Sequence, residues 1–249
     1  QLRRPTESYM SEGAGPVRVE QTVYGETRSN PEANNLRGQV FRLFDQAGVV
    51  TSDDYDFKGN LVSSRRQLAQ EYKTTLDWSA TVPLEAPTYT SRTRYDALNR
   101  PIQLTAPHSD RPGTKINVIQ PGYNEANLLQ QLNAWLNQNA EPAGLLDPVA
   151  ANLNAVTDID YDARGQRTQI NYGNGVRTTY EYDPLTFRLI HMLTQRDAVD
   201  FPDDCPELPP AGWPGCQVQN LHYTDDPVGN ITHIRDDAQQ TIYFKNKRV

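Results

Sequence analysis

The residues of this chain that are equipped for chemistry are a few histidines, two cysteines and many aspartates that follow an aromatic residue. The histidines, His108, His191, His222 and His233, have neither the spacing of metal ligands nor a nucleophile motif beside them. There is no Gly-x-Ser-x-Gly elbow, no phosphate-binding loop and no His-Glu-x-x-His motif in the sequence. We therefore expect the histidines to pack in strands or on the surface, and we predict no catalytic residue, metal site or cofactor.

The two cysteines, Cys205 and Cys216, enclose a proline-rich segment and allow two interpretations. They form a disulfide that closes a short loop, which would add about 2–3 kcal/mol by restricting the unfolded chain, or they are two free thiols. A metal site is the least favoured interpretation, because two cysteines without a nearby histidine leave the coordination of a metal incomplete.

The aspartates recur in the pattern Tyr-Asp-x-x-Gly, followed by a strand-like segment. An aspartate can accept backbone N–H bonds two residues further on, and glycine or asparagine supplies the positive φ that such a turn needs. The tyrosine ends a strand and covers backbone, and we expect the rings of successive turns to form a ladder. The residues assigned to these structural turns are Tyr55, Asp56, Gly59, Tyr95, Asp96, Asn99, Tyr161, Asp162, Gly165, Tyr182, Asp183, Asp226 and Gly229.

Other interpretations of these motifs are weaker. Calcium loops place oxygen ligands at dense alternate positions, which these turns lack. Catalytic carboxylate pairs cannot be assigned when aspartate has a structural reason to occur at every turn. The Gly173-Asn174-Gly175 segment lacks the third glycine and the following helix of a nucleotide loop, so we interpret Gly173 and Gly175 as parts of a hairpin turn.

The elements that position these turns are predicted to be strands. They include 16–25, an aromatic-aspartate turn at Phe44 between strands over 36–50, and further strand–turn units at 55–62, 95–104, 156–183, 223–234 and 240–244. Helix formers, with Leu68 and Tyr72 four residues apart, predict a short helix over 65–72, and 77–78 with 83–87 is predicted to be a loop. Residues 128–136 fit a helix or a strand, and the repeat context favours the strand.

Composition supports an all-β fold. Of 249 residues, 37% are hydrophobic, with 13 Tyr against 6 Phe and 2 Met, and the mean hydropathy is −0.73. This suits thin layers in which half the side chains face water. A net charge of −7 disfavours nonspecific nucleic-acid binding, and no apolar run is long enough for a membrane span. We expect an N-terminal strand-and-turn segment at 1–35 and a repeat region at 36–249 with insertions near 63–90, 137–155 and 197–217.

The turns at 55–61, 95–102, 123–129, 161–167 and 226–231, together with the hairpin over 172–183, resemble the Rhs/YD-repeat family. More narrowly, they are similar to the repeat region of bacterial toxin-complex B/C-type and SpvB-associated Rhs proteins. The resemblance implies an antiparallel sheet that spirals into a hollow shell. It also implies aspartyl autoproteolysis at paired Asp-Pro motifs. The sequence has Asp226-Pro227-Val228-Gly229 but no second matching motif downstream of it, so no catalytic residue is carried over.

The same resemblance implies a non-enzymatic role: a shell segment of a secreted toxin that encloses a C-terminal effector. Its partners would be the rest of the same Rhs polypeptide, the effector and a toxin-complex A-type channel component. A carbohydrate- or cell-surface-binding repeat module is the alternative. Both ends read as cuts through a longer chain, and exposed sheet edges would favour oligomers or an excised piece of a larger assembly.

Overall fold

The computed structural model describes residues 3–11, 13, 15–197, 199–201, 217–238, 243–244 and 247–248. In this part of the chain the regular structure is β, apart from short 3-10 helices at Gly25–Thr27, Pro31–Asn34 and Pro148–Ala150. The strands are β1 (Glu7–Ser11), β2 (Pro16–Tyr24), β3 (Val40–Asp45), β4 (Gly48–Tyr55), β5 (Leu61–Ala69), β6 (Leu84–Tyr95), β7 (Pro101–Ser109), β8 (Ile116–Tyr123), β9 (Leu129–Gln138), β10 (Leu153–Tyr161), β11 (Arg167–Tyr172), β12 (Arg177–Tyr182), β13 (Leu189–Gln195), β14 (Gln219–Asp225), β15 (Ile231–Asp236), β16 (Tyr243–Phe244) and β17 (Lys247–Arg248).

Strands β1 to β15 form one sheet in which each strand lies beside its neighbours in sequence. The pairing is antiparallel, so the connections alternate between two rims of the sheet. The turn rim holds the connections after even-numbered strands: 25–39, 56–60, 96–100, 124–128, 162–166, 183–188 and 226–230. The loop rim holds the connections after odd-numbered strands, among them 46–47, 70–83, 110–115, 139–152 and 173–176.

Buried and exposed side chains alternate along these segments, as is typical of strands. In β8, Ile116, Val118 and Gln120 are buried, whereas Asn117 between them is exposed. Successive side chains of a strand point to opposite faces, so a period of two places one set against a core. Gln120 tolerates burial because its amide donates to Gln103 Oε1 at 2.7 Å.

The contacts divide the chain into two units, the first comprising Gln1–Gln120 and Ala134–Asn152. Its core depends on loops of the loop rim. Leu76 and Trp78, from the 70–83 loop, pack against Val49 and Ala69. The Trp78 indole N–H donates to the Asp45 carbonyl at 3.1 Å. This loop therefore gives a single sheet the second layer that it needs to bury apolar surface.

The 139–152 loop covers the parts of β8 and β9 that belong to this unit. Leu146 and Ala151 pack against buried Ile116, Val118 and Trp135. The backbone carbonyl of Leu146 also accepts a hydrogen bond from the Gln120 amide at 3.0 Å. This polar loop is thus held to the sheet by a few apolar side chains and by hydrogen bonds to buried amides.

The second unit comprises Pro121–Asn133 and Leu153–Val249. Ile159 of β10 and Ile170 of β11 are buried cross-strand partners. Their row continues to Thr178 of β12, which is buried and lies within hydrogen-bond distance of Thr194, 2.9 Å between the hydroxyl oxygens. A row of cross-strand side chains thus forms part of the interior of this unit.

Two local predictions are wrong. The helix predicted over 65–72 is absent, because residues 65–69 belong to β5 and pair with β4 and β6. Tertiary pairing overrides the helix propensity of the segment, and Tyr72 is exposed. The predicted loop at 83–87 also differs, since β6 begins at Leu84.

The Phe44 turn is not a copy of the tyrosine–aspartate turns. It is a two-residue connection between Asp45 and Gly48, and it lies on the loop rim. The spacing of eleven residues from Phe44 to Tyr55 corresponds to one strand, and one strand brings the chain to the opposite rim. An equivalent turn recurs only after two strands.

Residues 128–136, which fit either element, do form a strand, since β9 spans Leu129–Gln138. The hairpin predicted at Gly173-Asn174-Gly175 is also confirmed and joins β11 to β12. Cys205 and Cys216 lie outside the described residues, so their pairing stays a prediction, and the segment predicted at 240–244 is described only for Tyr243–Phe244. The boundary at residue 35 and the insertions stay predictions as well.

Candidate functional site: the aspartate-capped turn rim

The turn at Asp162 illustrates the turns of the turn rim. Asp162 Oδ1 accepts the backbone N–H groups of Arg164 and Gln166, both at 2.9 Å. Its own N–H donates to the Gln166 carbonyl at 2.9 Å, and Gly165 N–H donates to the Asp162 carbonyl at 3.0 Å. One carboxylate thus satisfies backbone donors that the turn removes from the strand ladder.

The turns at Asp56, Asp96 and Asp226 have the same bonds. In each, Oδ1 accepts the N–H groups two and four residues further on, at 2.8–3.0 Å. The second oxygen accepts from a side chain four residues on: Asn60 and Asn230 at 2.8 Å, and Arg100 at 2.7 Å. The carboxylates are therefore already occupied by their own turns.

Asparagine can hold the same turn. Asn124 Oδ1 accepts the N–H of Leu128 at 2.9 Å, and Asn124 N–H donates to the Leu128 carbonyl at 2.9 Å. An amide oxygen replaces one carboxylate oxygen in this role, which explains why this copy of the motif tolerates the change.

The fourth residue of each turn is left-handed. Its φ is +87° at Gly59, +81° at Gly165 and +101° at Gly229, and asparagine adopts it at Asn99 (+64°) and Asn127 (+66°). Glycine and asparagine are the residues that reach this region most cheaply.

The turn at Asp183 is one residue longer than the others. Asp183 N–H donates to the Arg188 carbonyl at 2.8 Å, and Phe187 N–H donates to the Asp183 carbonyl at 2.8 Å. The left-handed residue of this turn is Phe187, with φ of +60°. A bulky side chain in this region carries a conformational cost, which contacts with the neighbouring turns, described below, help to offset.

The bonds favour the ionised aspartates. The Asn60 amide, followed by backbone N–H groups, lowers the pKa of Asp56, and the Asn230 amide does the same for the pKa of Asp226. Backbone N–H groups of Arg100 and Thr186 are the first causes of the lowered pKa values of Asp96 and Asp183. A lowered pKa suits a hydrogen-bond acceptor in a turn.

The tyrosines before these turns join one hairpin to the previous one. The Tyr55 hydroxyl donates to the Val40 carbonyl at 2.8 Å, and the Tyr95 hydroxyl to the Leu61 carbonyl at 3.3 Å. In the second unit, Tyr161 and Tyr182 donate to the carbonyls of Leu129 at 2.5 Å and Arg167 at 2.9 Å. Each acceptor is the first residue of the strand after the preceding turn.

This link differs from the stacked ladder of tyrosine rings that the repeat predicts. At these four tyrosines the observed connection is hydroxyl to carbonyl. Within the described residues, ring pairs join Phe44 to Trp78 and His191 to His222. The pattern of turn residues in the sequence does not reveal which carbonyl a hydroxyl will reach.

Neighbouring turns also touch along the rim. In the first unit, Asn60 donates to Asn99 Oδ1 at 3.0 Å, and the Lys58 ammonium donates to the Ala97 carbonyl. Side chains of one turn thus bind the next turn. The rim is therefore a row of interlocked turns rather than a set of separate ones.

The same locking occurs in the second unit. The Gln166 amide donates to the Phe187 carbonyl at 2.8 Å, and the Arg164 guanidinium lies 3.2 Å from the centre of the Phe187 ring. Arg188 donates to the carbonyls of Asp226 at 2.7 Å and Pro227 at 3.1 Å. These contacts surround the strained Phe187 turn on both sides.

The histidines are not part of the aspartate-capped turns. His108, His191, His222 and His233 all lie in strands. In the described part of the chain, no three histidine, cysteine, aspartate or glutamate side chains are grouped to hold a metal ion. The same part of the chain contains no helix that is long and apolar enough to cross a membrane.

His108 helps to anchor the 139–152 loop. Its Nε2 lies 2.9 Å from Glu141 Oε1, and Arg92 donates to the other oxygen of Glu141 at 2.7 Å. Glu141 belongs to the 139–152 loop, so this pair of contacts fastens the loop to β6 and β7.

A cleft of about 450 Å³ lies on the loop rim beside the β11–β12 hairpin. Its lining includes Arg177, Arg196 and Asp197, but no histidine or cysteine. Gly173 and Gly175 of this hairpin are placed on the loop rim, away from the aspartate-capped turns. Gly175 has φ of +81°, whereas a Cβ atom at Gly173 would collide with the Asn154 carbonyl oxygen.

Comparison with known proteins agrees with this geometry. The RHS Repeat family model matches residues 161–198, which contain the Asp162 and Asp183 turns. The toxin subunits YenC1 and YenC2 of Yersinia entomophaga are 30% identical over 239 residues and 28% identical over 240 residues. Each comparison covers 93% of this chain, and the chain spans about a fifth of these relatives, 21% and 22% of their lengths.

Solved structures share the fold. A TcdB2–TccC3–Cdc42 structure is 25% identical with a TM-score of 0.65, over 99% of this chain and 10% of that one. A structure of the Photorhabdus luminescens Tc holotoxin pore is 24% identical with a TM-score of 0.67, over 98% of this chain and 10% of that one. The chain therefore carries an Rhs repeat at residues 161–198 and is similar to these toxin subunits over 93% of its own length.

Proposed function

We propose that this chain is a wall segment of an Rhs-type toxin, in which the antiparallel sheet continues into a hollow shell around a C-terminal effector. The single observation that carries the proposal is the uninterrupted strand order β1 to β15 with interlocked turns along one rim. Each hairpin adds to the last with the same geometry, as repeat architectures do when they extend a common layer.

The chemistry of the turn rim supports a structural role. The aspartate oxygens accept backbone and side-chain bonds from their own turns, which leaves them poorly placed to act as acids or bases on a substrate. The tyrosine hydroxyls similarly donate hydrogen bonds to carbonyls of the preceding hairpin. The proposed role of this segment is therefore enclosure and not catalysis.

The proposal also names partners and a location. The segment would contact the rest of the same Rhs polypeptide along its sheet edges and the enclosed effector on one face. Through the complete shell it would join an A-type channel component, as the holotoxin structure with a similar fold suggests. It would act outside the bacterium that makes it, in keeping with its toxin-subunit relatives.

Protease protection of the C-terminal segment tests the proposal in the natural full-length protein. We expect that segment to survive limited proteolysis in the folded protein and to be digested when it is produced alone. The double variant Asp96→Ala/Asp162→Ala removes two turn caps and should expose it.

Val149→Ala, an exposed position on the loop rim, is the matched control and should leave protection unchanged. Equal digestion of the C-terminal segment inside the unmodified protein and alone would contradict enclosure.

A further inference from the structure

Two histidines stack across neighbouring strands in the second unit. His191 of β13 and His222 of β14 are direct cross-strand partners. Their ring centres are 4.3 Å apart, and the ring planes differ by 11°. Stacked neutral imidazoles attract weakly, whereas two imidazolium ions at this distance repel one another.

The surroundings of the pair can neutralise one positive charge. His191 Nε2–H donates to Asn220 Oδ1 at 2.6 Å, and His191 Nδ1 lies 3.4 Å from a carboxylate oxygen of Glu181 on β12. Both ring nitrogens of His191 thus face acceptors, an arrangement that an imidazolium satisfies with two N–H donors.

The other histidine faces a mixture of charges. His222 Nε2 lies 3.4 Å from Asp237 Oδ2, but Asp237 is also held by Arg235 at 2.8 Å. Arg235 is the cross-strand partner of His222 on β15, so a cation stands on each side of His222 once His191 is charged.

The remaining ionisable groups nearby do not relieve this repulsion. Asp236 Oδ1 accepts the N–H groups of Asn220 and Ala238, at 2.9 and 3.0 Å. His233, on β15, lies opposite Thr224 and not opposite either histidine. The charged groups that face the pair are therefore Glu181, Arg235 and Asp237.

We infer that the His191–His222 stack is a proton-sensitive contact between β13 and β14, stable with at most one charge and pushed apart when both rings are protonated. Burial, and next the charge of His191, lower the pKa of His222, in agreement with this geometry. The inference concerns the sheet itself and stands whether or not the sheet encloses an effector.

The direction of the pH effect follows from linkage. In the folded sheet the pKa of His222 lies below the ordinary histidine value of about 6.5. The unfolded or opened chain therefore binds more protons than the folded chain once the pH falls below about 6.5. The contribution of the contact to stability is complete above about pH 6.5 and is lost as the pH falls toward the lowered pKa. This range lies above the one in which the carboxylates titrate.

Hydrogen exchange of the natural full-length protein, followed by mass spectrometry between pH 7.5 and 5 and corrected for the intrinsic exchange rate, tests the inference. We expect exchange of the β13 and β14 amides to rise several-fold as the pH falls, since the opened strands bind more protons than the closed sheet. In His222→Gln the rise should disappear. His233→Gln is the matched control and should keep the full rise.

A second variant covers the case in which His222→Gln fails to fold. Glu181 is mostly exposed, so Glu181→Gln should fold, and it removes an anion that offsets the imidazolium. It should make the acid-induced rise larger. A rise that is unchanged in both His222→Gln and Glu181→Gln, or no rise in the unmodified protein, would overturn the inference.

Discussion

Aspartate is suited to the turn rim because one carboxylate can accept several N–H donors at once. Asp226 accepts the backbone N–H groups of Val228, Gly229 and Asn230 with Oδ1, and the Asn230 side chain with Oδ2. A hydrogen bond to a charged acceptor is stronger than one between neutral groups. The aspartate–glycine spacing makes this turn predictable from sequence, since both residues act within the same short segment.

The tyrosine links were not predictable in the same way, since they join hairpins. We expect Tyr55→Phe to lower the free energy of unfolding by about 1 kcal/mol, because it removes the hydroxyl bond to Val40 and keeps the buried ring. Chemical denaturation monitored by circular dichroism measures the change.

Tyr72→Phe is the control, since Tyr72 is 81% exposed, and its free energy of unfolding should stay within about 0.5 kcal/mol of the unmodified protein. Equal losses for the two variants would show that the Tyr55 hydroxyl bond contributes nothing specific.

At the scale of elements, β5 shows why local propensity fails in this chain. Residues 65–69 are Arg, Arg, Gln, Leu and Ala, which favour a helix in isolation. In the sheet, Arg65 pairs with Asp53 and Arg66 with Asp45, in each case through two hydrogen bonds. Long polar side chains suit a strand whose neighbours supply partners, and a single segment of sequence does not show those neighbours.

The β11–β12 hairpin contains two glycines that are required for different reasons. At Gly173 a Cβ would collide with the Asn154 carbonyl oxygen, whereas at Gly175 it would meet nothing within 4 Å but requires φ of +81°. We expect Gly175→Ala to cost about 1–2 kcal/mol for the left-handed backbone. Gly173→Ala should cost more, since the β10 backbone has to move.

Urea denaturation of both variants measures this order. Hydrogen exchange in β10 adds an independent test, because only Gly173→Ala should raise it. A smaller loss for Gly173→Ala than for Gly175→Ala would contradict the close approach of the two backbones.

At the scale of the whole molecule, apolar residues in polar loops contribute to the buried core. Leu76 and Trp78 of the first unit are buried, although the sequence around them reads as a loop. Two large apolar residues in a polar stretch often mark contact with a core. Which strands they cover depends on the sheet, and the pattern of turns does not reveal this.

Because the aspartate-capped turn is repeated, several aspartates together affect the stability of the protein in acid. The pKa values of Asp56, Asp96, Asp183 and Asp226 are all lowered by bonds within their turns. Groups with a depressed folded-state pKa stabilise the protein above their unfolded pKa, and this stabilisation is lost as the pH falls through the folded value. We therefore expect stability to fall below about pH 4, through small contributions from many turns.

Urea midpoints at pH 7, 5 and 3 measure the effect. A variant with Asn at Asp56, Asp96, Asp183 and Asp226 should be less stable at pH 7 but should lose less between pH 5 and 3. An equal loss in both proteins over that interval would assign acid unfolding to other carboxylates.

The alternation of connections between the two rims constrains how such a chain can change in length. Adding or removing one strand would exchange the rims for every later hairpin, so the aspartate-capped turns beyond that point would face away from their neighbours. Adding two strands preserves the parity of all that follows, and so does lengthening a connection on the loop rim. We expect length differences among related chains to be whole hairpins or loop-rim insertions, with single-strand changes excluded by the geometry.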